Sequence, residues 1–230
     1  EAWPAGKPIL LHAEDDVSDL VLSTLKQIPK ATHMCHVSNR AELELVIKAK
    51  DAGLPITCGV TPHHLFLTDK DAERLGGFGM VKPFLKPAMD QKFLWDHLDY
   101  IDLIESDHAP HTKSEKQGTP PPFGLPGLET TLALMLTAEA EGKLNRQQLL
   151  DRLRNNAARI FNIPPDDTTS VRFEMNEQII SGDNLQTKAG WTPYADKHVV
   201  GKVSKVTIRN EVVYEDGQIL AKPGSGHIIS

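Results

Sequence analysis

A chain of 230 residues, 40% hydrophobic and 24% charged, has the make-up of one large globular domain or a domain with an appendage. Its formal net charge of -6 argues against a nucleic-acid or anionic-membrane surface as the main partner. Two cysteines, Cys35 and Cys58, are too few for a disulfide framework, and with no leader and no bilayer-length apolar run a reduced, cytoplasmic setting is expected.

The chain opens on Glu1-Ala-Trp-Pro rather than on methionine, so a processed chain or a piece of a longer one is expected. Pro8 to His12 is a short apolar run of the kind that forms a strand buried on both faces. Helical spacing follows through Val17, Leu20, Val21, Leu25 and Ile28, with Pro29 as the stop. Thr32 to His36 is a second strand. Asn39 and Glu42 form a capping-box pattern ahead of a helix bearing Leu43, Val46 and Ile47, which Gly53 ends. Ile56 to Val60 is a third strand, Met89 to Leu98 a helix, and Ile101 to Ser106 a fourth strand.

Strands alternating with helices predict β/α units and a parallel sheet. The Pro/Gly-rich stretch from Ala109 to Gly127 is a candidate functional loop. Apolar helix faces follow at Leu128, Leu132, Met135 and Leu136, and again at Leu149, Leu153, Ala157, Ile160 and Phe161 before Pro164-Pro165. From Asp166 the pattern turns to β, with Val206 and Ile208 alternating and Asp216-Gly217 as a hairpin turn. The expected division is 1–165 and a β-rich appendage, 166–230.

Three of the four strand candidates end in a residue able to bind a metal: His12, His36 and Asp107. In β/α barrels, catalytic groups come from the C-terminal ends of several strands, so these three would meet at one mouth. Imidazole and carboxylate suit zinc. A strand-end histidine also serves as a hydrogen-bonded structural residue, and three at equivalent ends leave both readings standing.

The segment Ser106-Asp107-His108-Ala109-Pro110-His111-Thr112 resembles the last-strand motif of dihydroorotases. His12-Ala13-Glu14, Cys35-His36-Val37-Ser38, Thr61-Pro62-His63-His64-Leu65, Pro126-Gly127-Leu128-Glu129-Thr130 and Asn155 to Phe161 occur in that family's order. The resemblance runs from about Pro4 to the C-terminus. It is closest to the dihydroorotase domain of the animal multifunctional protein that also holds carbamoyl-phosphate synthetase and aspartate transcarbamoylase.

The resemblance implies the α/β fold of the C-terminal half of a TIM-type (β/α)8 amidohydrolase barrel. It implies interconversion of N-carbamoyl-L-aspartate and L-dihydroorotate, in pyrimidine biosynthesis, at a centre of two zinc ions (Zn2+). His12 and His36 match ligands of one zinc. Asp107 matches a ligand of the other and the catalytic proton shuttle. His111 and Gly124 match substrate-binding positions, and Lys82 stands where animal members carry Arg, keeping the charge without the bidentate fork.

The family's His-x-His pair and carboxylated Lys have no counterpart here, so the chain alone is expected to be inactive. Some animal members hold a further metal near a Cys at position 35 with a Glu at position 59. Gly59 has no side chain, so none is expected here, and Cys35 reads as a buried inert thiol pointing away from His36. His63 and His64 are expected to satisfy hydrogen bonds, His33, His97, His198 and His227 to be surface or packing residues, and Glu129 and Thr130 to serve a helix start. The implied partners are the small-molecule substrate, further copies in a homo-oligomer and fused pyrimidine-pathway domains. Alternatives are a catalytically dead dihydroorotase-like scaffold, or another cyclic amidohydrolase such as a hydantoinase or allantoinase.

Overall fold

The computed structural model describes residues 6–14, 17–164 and 166–226. Short apolar runs separated by helices can pair in parallel because each helix carries the chain back to the same sheet edge. The elements are β1 (Ile9–Leu11), α1 (Ser18–Gln27), β2 (Thr32–Met34), α2 (Arg40–Asp51) and β3 (Ile56–Val60). Then come α3 (Pro62–Phe66), α4 (Asp69–Leu75), α5 (Ala88–Asp96) and β4 (Leu103–Ile104). These four strands form one parallel sheet in the order β1-β2-β3-β4. The α/β alternation expected of residues 8–106 is present.

Individual elements depart from expectation for local reasons. β1 ends the sheet, and Leu10 is 56% exposed, so this strand is not buried on both faces. β2 stops at Met34 because the chain turns at Cys35 and His36. The side-chain alternation that would point Cys35 away from His36 therefore does not extend to them. Asn39 caps α2 by accepting the Glu42 amide at 2.9 Å. Glu42 itself reaches back to the amide and hydroxyl of Ser38, one residue beyond the usual box.

After β4 the chain forms α6 (Lys113–Lys116), α7 (Thr131–Ala140), α8 (Arg146–Leu150), a π turn (Asp151–Asn155) and α9 (Asn156–Phe161). Leu128, expected on the face of α7, precedes the helix and is 60% exposed. A second, antiparallel sheet follows: β5 (Ser170–Ile179), β6 (His198–Ile208), β7 (Glu211–Glu215) and β8 (Gln218–Ile219), paired in that order. The expected turn at Asp216-Gly217 joins β7 to β8 with φ of 46° and 89°, the positive values a two-residue hairpin turn needs.

Two apolar clusters hold these layers together. One packs Met34, Leu43, Val46, Cys58, Val60, Leu94, Met135 and Leu136 between the parallel sheet and its helices. The other joins Leu67, Val81, Leu85, Leu125 and Leu134 to Ile180, Trp191, Tyr194 and Val199 from the later β region. No helix of the described residues is long and apolar enough to cross a membrane.

Candidate metal centre

Because the first sheet is parallel, the residues just past its strands emerge along one edge. His12 follows β1 and His36 lies two residues past β2. His12 Nδ1 lies 2.7 Å from His36 Nε2, with the rings edge to face at 4.5 Å between centroids. His12 Nε2 is 2.9 Å from Glu14 Oε1. The His36 side chain is buried, and its Nδ1 has no hydrogen-bond partner.

Asp107, past β4, is near both imidazoles. Burial raises its carboxyl pKa above the ordinary range, with neighbouring Glu105 adding to the rise, while His36 and His12 pull it down. His36 and Asp107 share a further property. Their φ angles are 39° and 42°, a left-handed conformation that costs a non-glycine residue about 1–3 kcal/mol and concentrates at functional sites. Two imidazole nitrogens at hydrogen-bonding distance, a half-buried carboxylate and an unsatisfied buried nitrogen form a donor set that suits a divalent metal ion. The three residues do not bring one donor atom each within 4.8 Å of one another. Among the described residues, that grouping is His33, Cys35 and Glu105.

This second cluster was not legible as one. His33 is fully buried, with Nδ1 2.8 Å from Thr57 Oγ1 and Nε2 2.6 Å from Glu105 Oε1. The other oxygen of Glu105 accepts the His36 amide at 2.8 Å, so Glu105 braces the strained turn that presents His36. Gly59 makes this possible, since a Cβ there would lie 2.2 Å from the Glu105 carboxyl carbon. The expectation of no metal near Cys35 rested on the missing side chain of Gly59; Glu105, from the neighbouring strand, puts a carboxylate into that space. Cys35 is half-buried rather than buried. Burial, then Glu105, pushes its thiol pKa up to about 11, so it is protonated and unreactive near neutrality unless a cation displaces the proton.

His63 and His64 differ. His64 has Nδ1 2.8 Å from Thr61 Oγ1 and Nε2 3.2 Å from the Pro83 carbonyl, as expected. Burial lowers its pKa to about 3. The buried His63 Nε2 has no hydrogen bond, contrary to expectation, and faces Asp107 Oδ2 at 3.9 Å. Burial also holds His63 well below the usual imidazole range, so a neutral ring stands beside the carboxylate. Sequence reasoning missed this neighbour; its one signal was the paired histidines just past a strand end.

The expected substrate residues lie around one loop. His111 Nε2 is 3.1 Å from the Phe123 carbonyl, and Lys82 Nζ sits 5.1 Å from the centroid of the Phe123 ring. Gly124 has φ of 131° and packs so closely that a Cβ would lie 2.3 Å from the Ala109 carbonyl oxygen, so only glycine fits. Its amide donates to the Met80 carbonyl at 3.0 Å. Glu129 does not serve the helix start. Its carboxylate accepts the amides of Gln186 and Thr187, and Thr130 turns its hydroxyl to the Gly127 carbonyl. His33 and His97 pack, His97 stacking on Phe93, while His198 is exposed and His227 lies outside the described residues.

No family model matches the chain. It is 42% identical over 228 residues to the multifunctional protein CAD of Squalus acanthias, covering 98% of this chain and 10% of that protein. It is 38% identical over 235 residues to the dihydroorotase of Pyrococcus abyssi, covering 99% of this chain and 56% of that enzyme. Among solved structures it matches an L-hydantoinase (dihydropyrimidinase) from Arthrobacter aurescens with a TM-score of 0.87 at 26% identity, over 93% of this chain and 51% of that one. It also matches the inactive dihydroorotase-like domain of a Chaetomium thermophilum CAD-like multifunctional protein with a TM-score of 0.80 at 27% identity, over 98% and 63%. The chain thus spans about half the length of the dihydroorotase it matches. Its similarity to dihydroorotases extends over nearly all of its own length.

Proposed function

We propose that this chain forms the second half of a dihydroorotase: four β/α units of a TIM-type barrel (1–165) with a β-rich appendage (166–230). The reaction is the reversible cyclisation of N-carbamoyl-L-aspartate to L-dihydroorotate. The observation that carries this reading is the meeting of His12 and His36 at 2.7 Å beside Asp107, with both His36 and Asp107 held in left-handed backbone at strand ends.

Two zinc ions, when bound, polarise the carbonyl under attack and make water a nucleophile near neutral pH. His12 and His36 would hold one of them and Asp107 the other. Asp107, with a carboxyl pKa already raised by burial, moves the proton between the attacking water and the ring nitrogen. His111 holds the substrate carboxylate, and Lys82 adds positive charge at the same rim. The Gly124 amide donates to Met80 and its carbonyl accepts from Lys116, so the contact of Gly124 with the substrate ring falls to its Cα face. Three protein ligands for two metals fall short of the three per metal usual in catalytic zinc sites. The remaining ligands, a His-x-His pair and a carboxylated Lys, come from the other half of the barrel, and these 230 residues alone are inactive. The proposed partners are further copies in a homo-oligomer; a multifunctional parent, like CAD of Squalus acanthias, and a stand-alone parent, like the dihydroorotase of Pyrococcus abyssi, both fit the similarity.

A dead scaffold is the competing reading, favoured by the structural likeness to an inactive domain. Retention of His12, His36 and Asp107 argues against it. The test is turnover of N-carbamoyl-L-aspartate, L-dihydroorotate and a hydantoin by the zinc-loaded longer protein, with Asp107→Asn alongside. Dihydroorotate turnover that falls by about 10³-fold or more in the variant is expected. Hydantoin turnover alone identifies a different cyclic amidohydrolase, and no turnover from a folded, zinc-loaded protein identifies the scaffold.

A further inference from the structure

Lys116 is the most unusual charged residue outside the metal centre. It sits at the end of the short helix α6, only 1% exposed, and no carboxylate among the described residues pairs with it. Its ammonium donates instead to three backbone carbonyls: Met80 at 2.9 Å, Pro122 at 2.8 Å and Gly124 at 3.1 Å. An ammonium has three donors, so this set saturates it. A buried charge is costly unless fully hydrogen-bonded, and burial pulls the pKa of Lys116 down to about 8.

The surroundings are built to keep it there. Thr112 and Glu115 close a capping box that fixes the single turn from which Lys116 projects. Trp191 covers the ammonium at 5.8 Å, and its indole N–H donates to the His111 carbonyl at 2.7 Å. The chain at Gly77 closes over the Lys116 backbone, where a Cβ would lie 2.2 Å from the Lys116 carbonyl oxygen.

The three carbonyls belong to the two segments that carry the expected substrate contacts. Met80 lies two residues before Lys82 and also accepts the Gly124 amide. Pro122 and Gly124 flank Phe123, whose carbonyl meets His111 and whose ring meets Lys82. We propose that Lys116 is a positioning residue for substrate binding, a buried ammonium that ties the Met80–Lys82 segment to the Pro122–Gly124 loop and so sets Gly124, His111 and Lys82 in one arrangement. This rests on the dihydroorotase reading for the identity of the substrate. Lys116 does not touch the metal ligands, so its effect falls on substrate affinity and not on metal loading.

The test compares wild type, Lys116→Met, and Lys116→Cys with and without aminoethylation of the new thiol, which restores an ammonium at nearly the same reach. In the zinc-loaded longer protein, KM for L-dihydroorotate is expected to rise about tenfold in Lys116→Met, with kcat and zinc content within about twofold. Aminoethylation is expected to return KM toward wild type, which loss of packing alone would not do. In the 230-residue chain, hydrogen exchange at the Gly124 amide is expected to quicken about tenfold in Lys116→Met, with the amides of β3 unchanged. An unchanged KM, a parallel loss of zinc, or unaltered Gly124 exchange overturns the proposal. Wild type that fails to turn over dihydroorotate counts against the function, while the exchange measurement still decides whether Lys116 holds the loop.

Discussion

Gly59 and Glu105 show how one missing side chain sets the geometry of a site. The Glu105 carboxyl occupies the space a Cβ on Gly59 would need, and from there bonds both the buried His33 and the His36 amide. Gly59→Ala must push Glu105 off both partners, leaving a buried imidazole and amide short of an acceptor. Its expected cost is about 1–3 kcal/mol in urea unfolding. In a Glu105→Ala background the same change should cost under about 0.5 kcal/mol, because the overlap is gone; an undiminished cost would show that Glu105 is not the obstacle. His64 carries a separate, pH-dependent expectation. Its folded pKa of about 3 lies below the usual 6.5, so between those values the unfolded chain binds a proton that the folded chain refuses. Stability is therefore complete above pH 6.5 and falls as pH drops toward 3, by on the order of 5 kcal/mol from this residue. Unfolding midpoints at pH 7 and pH 4 should differ less in His64→Gln, which keeps a donor for the Pro83 carbonyl but does not titrate. An equal acid sensitivity in the variant would assign the effect to other groups.

Helix α7 is apolar on more than one face because it serves two cores. Met135 and Leu136 belong to the cluster beneath the parallel sheet, and Leu134 to the cluster around Trp191. The Thr137 hydroxyl accepts the Val200 amide at 2.9 Å, pinning the helix to β6. Leu134 is fully buried, so Leu134→Ala is expected to cost about 2–5 kcal/mol by calorimetry; a loss below about 1 kcal/mol would mean that the second cluster is loosely packed. This helix, like the β/α alternation before it, was readable from apolar spacing. The elements that were not readable have physical reasons. α3, α4 and α6 are 5, 7 and 4 residues long, too short for a helical period to declare itself. β5 does alternate, with Val171, Phe173 and Met175 between Arg172, Glu174 and Asn176, but it is exposed along most of its length, so the pattern marks no buried face. His12, His36 and Asp107 stood out as titratable residues after apolar runs. Pairing His33 with Glu105 required the register of three strands, and the left-handed turn at His36 has no sequence signature apart from the residue it presents.

At the scale of the molecule, the question is whether the parallel sheet and the later β region are separate units. Expectation placed a boundary near residue 165, yet apolar packing crosses it. Leu67, Val81, Leu85, Leu125 and Leu134 share a cluster with Ile180, Trp191, Tyr194 and Val199. Trp191 reinforces it through the edge-to-face contact with Phe78 at 4.9 Å and the hydrogen bond to the His111 carbonyl. Removing the later region would strip the cover from this cluster and from Lys116, exposing apolar surface worth roughly 25 cal/mol per Å². The two sheets should therefore unfold together. One calorimetric transition is expected, with van't Hoff and calorimetric enthalpies in agreement. Trp191→Ala should lower that single transition by a penalty of about 3–5 kcal/mol, with the parallel sheet and the β region losing protection at the same temperature. Two resolved transitions in the wild type, with Trp191→Ala shifting one and leaving the other in place, would show that the shared cluster does not couple them. The β region would then be an independent appendage, and the loop holding Gly124 and His111 would owe its shape to the barrel half alone.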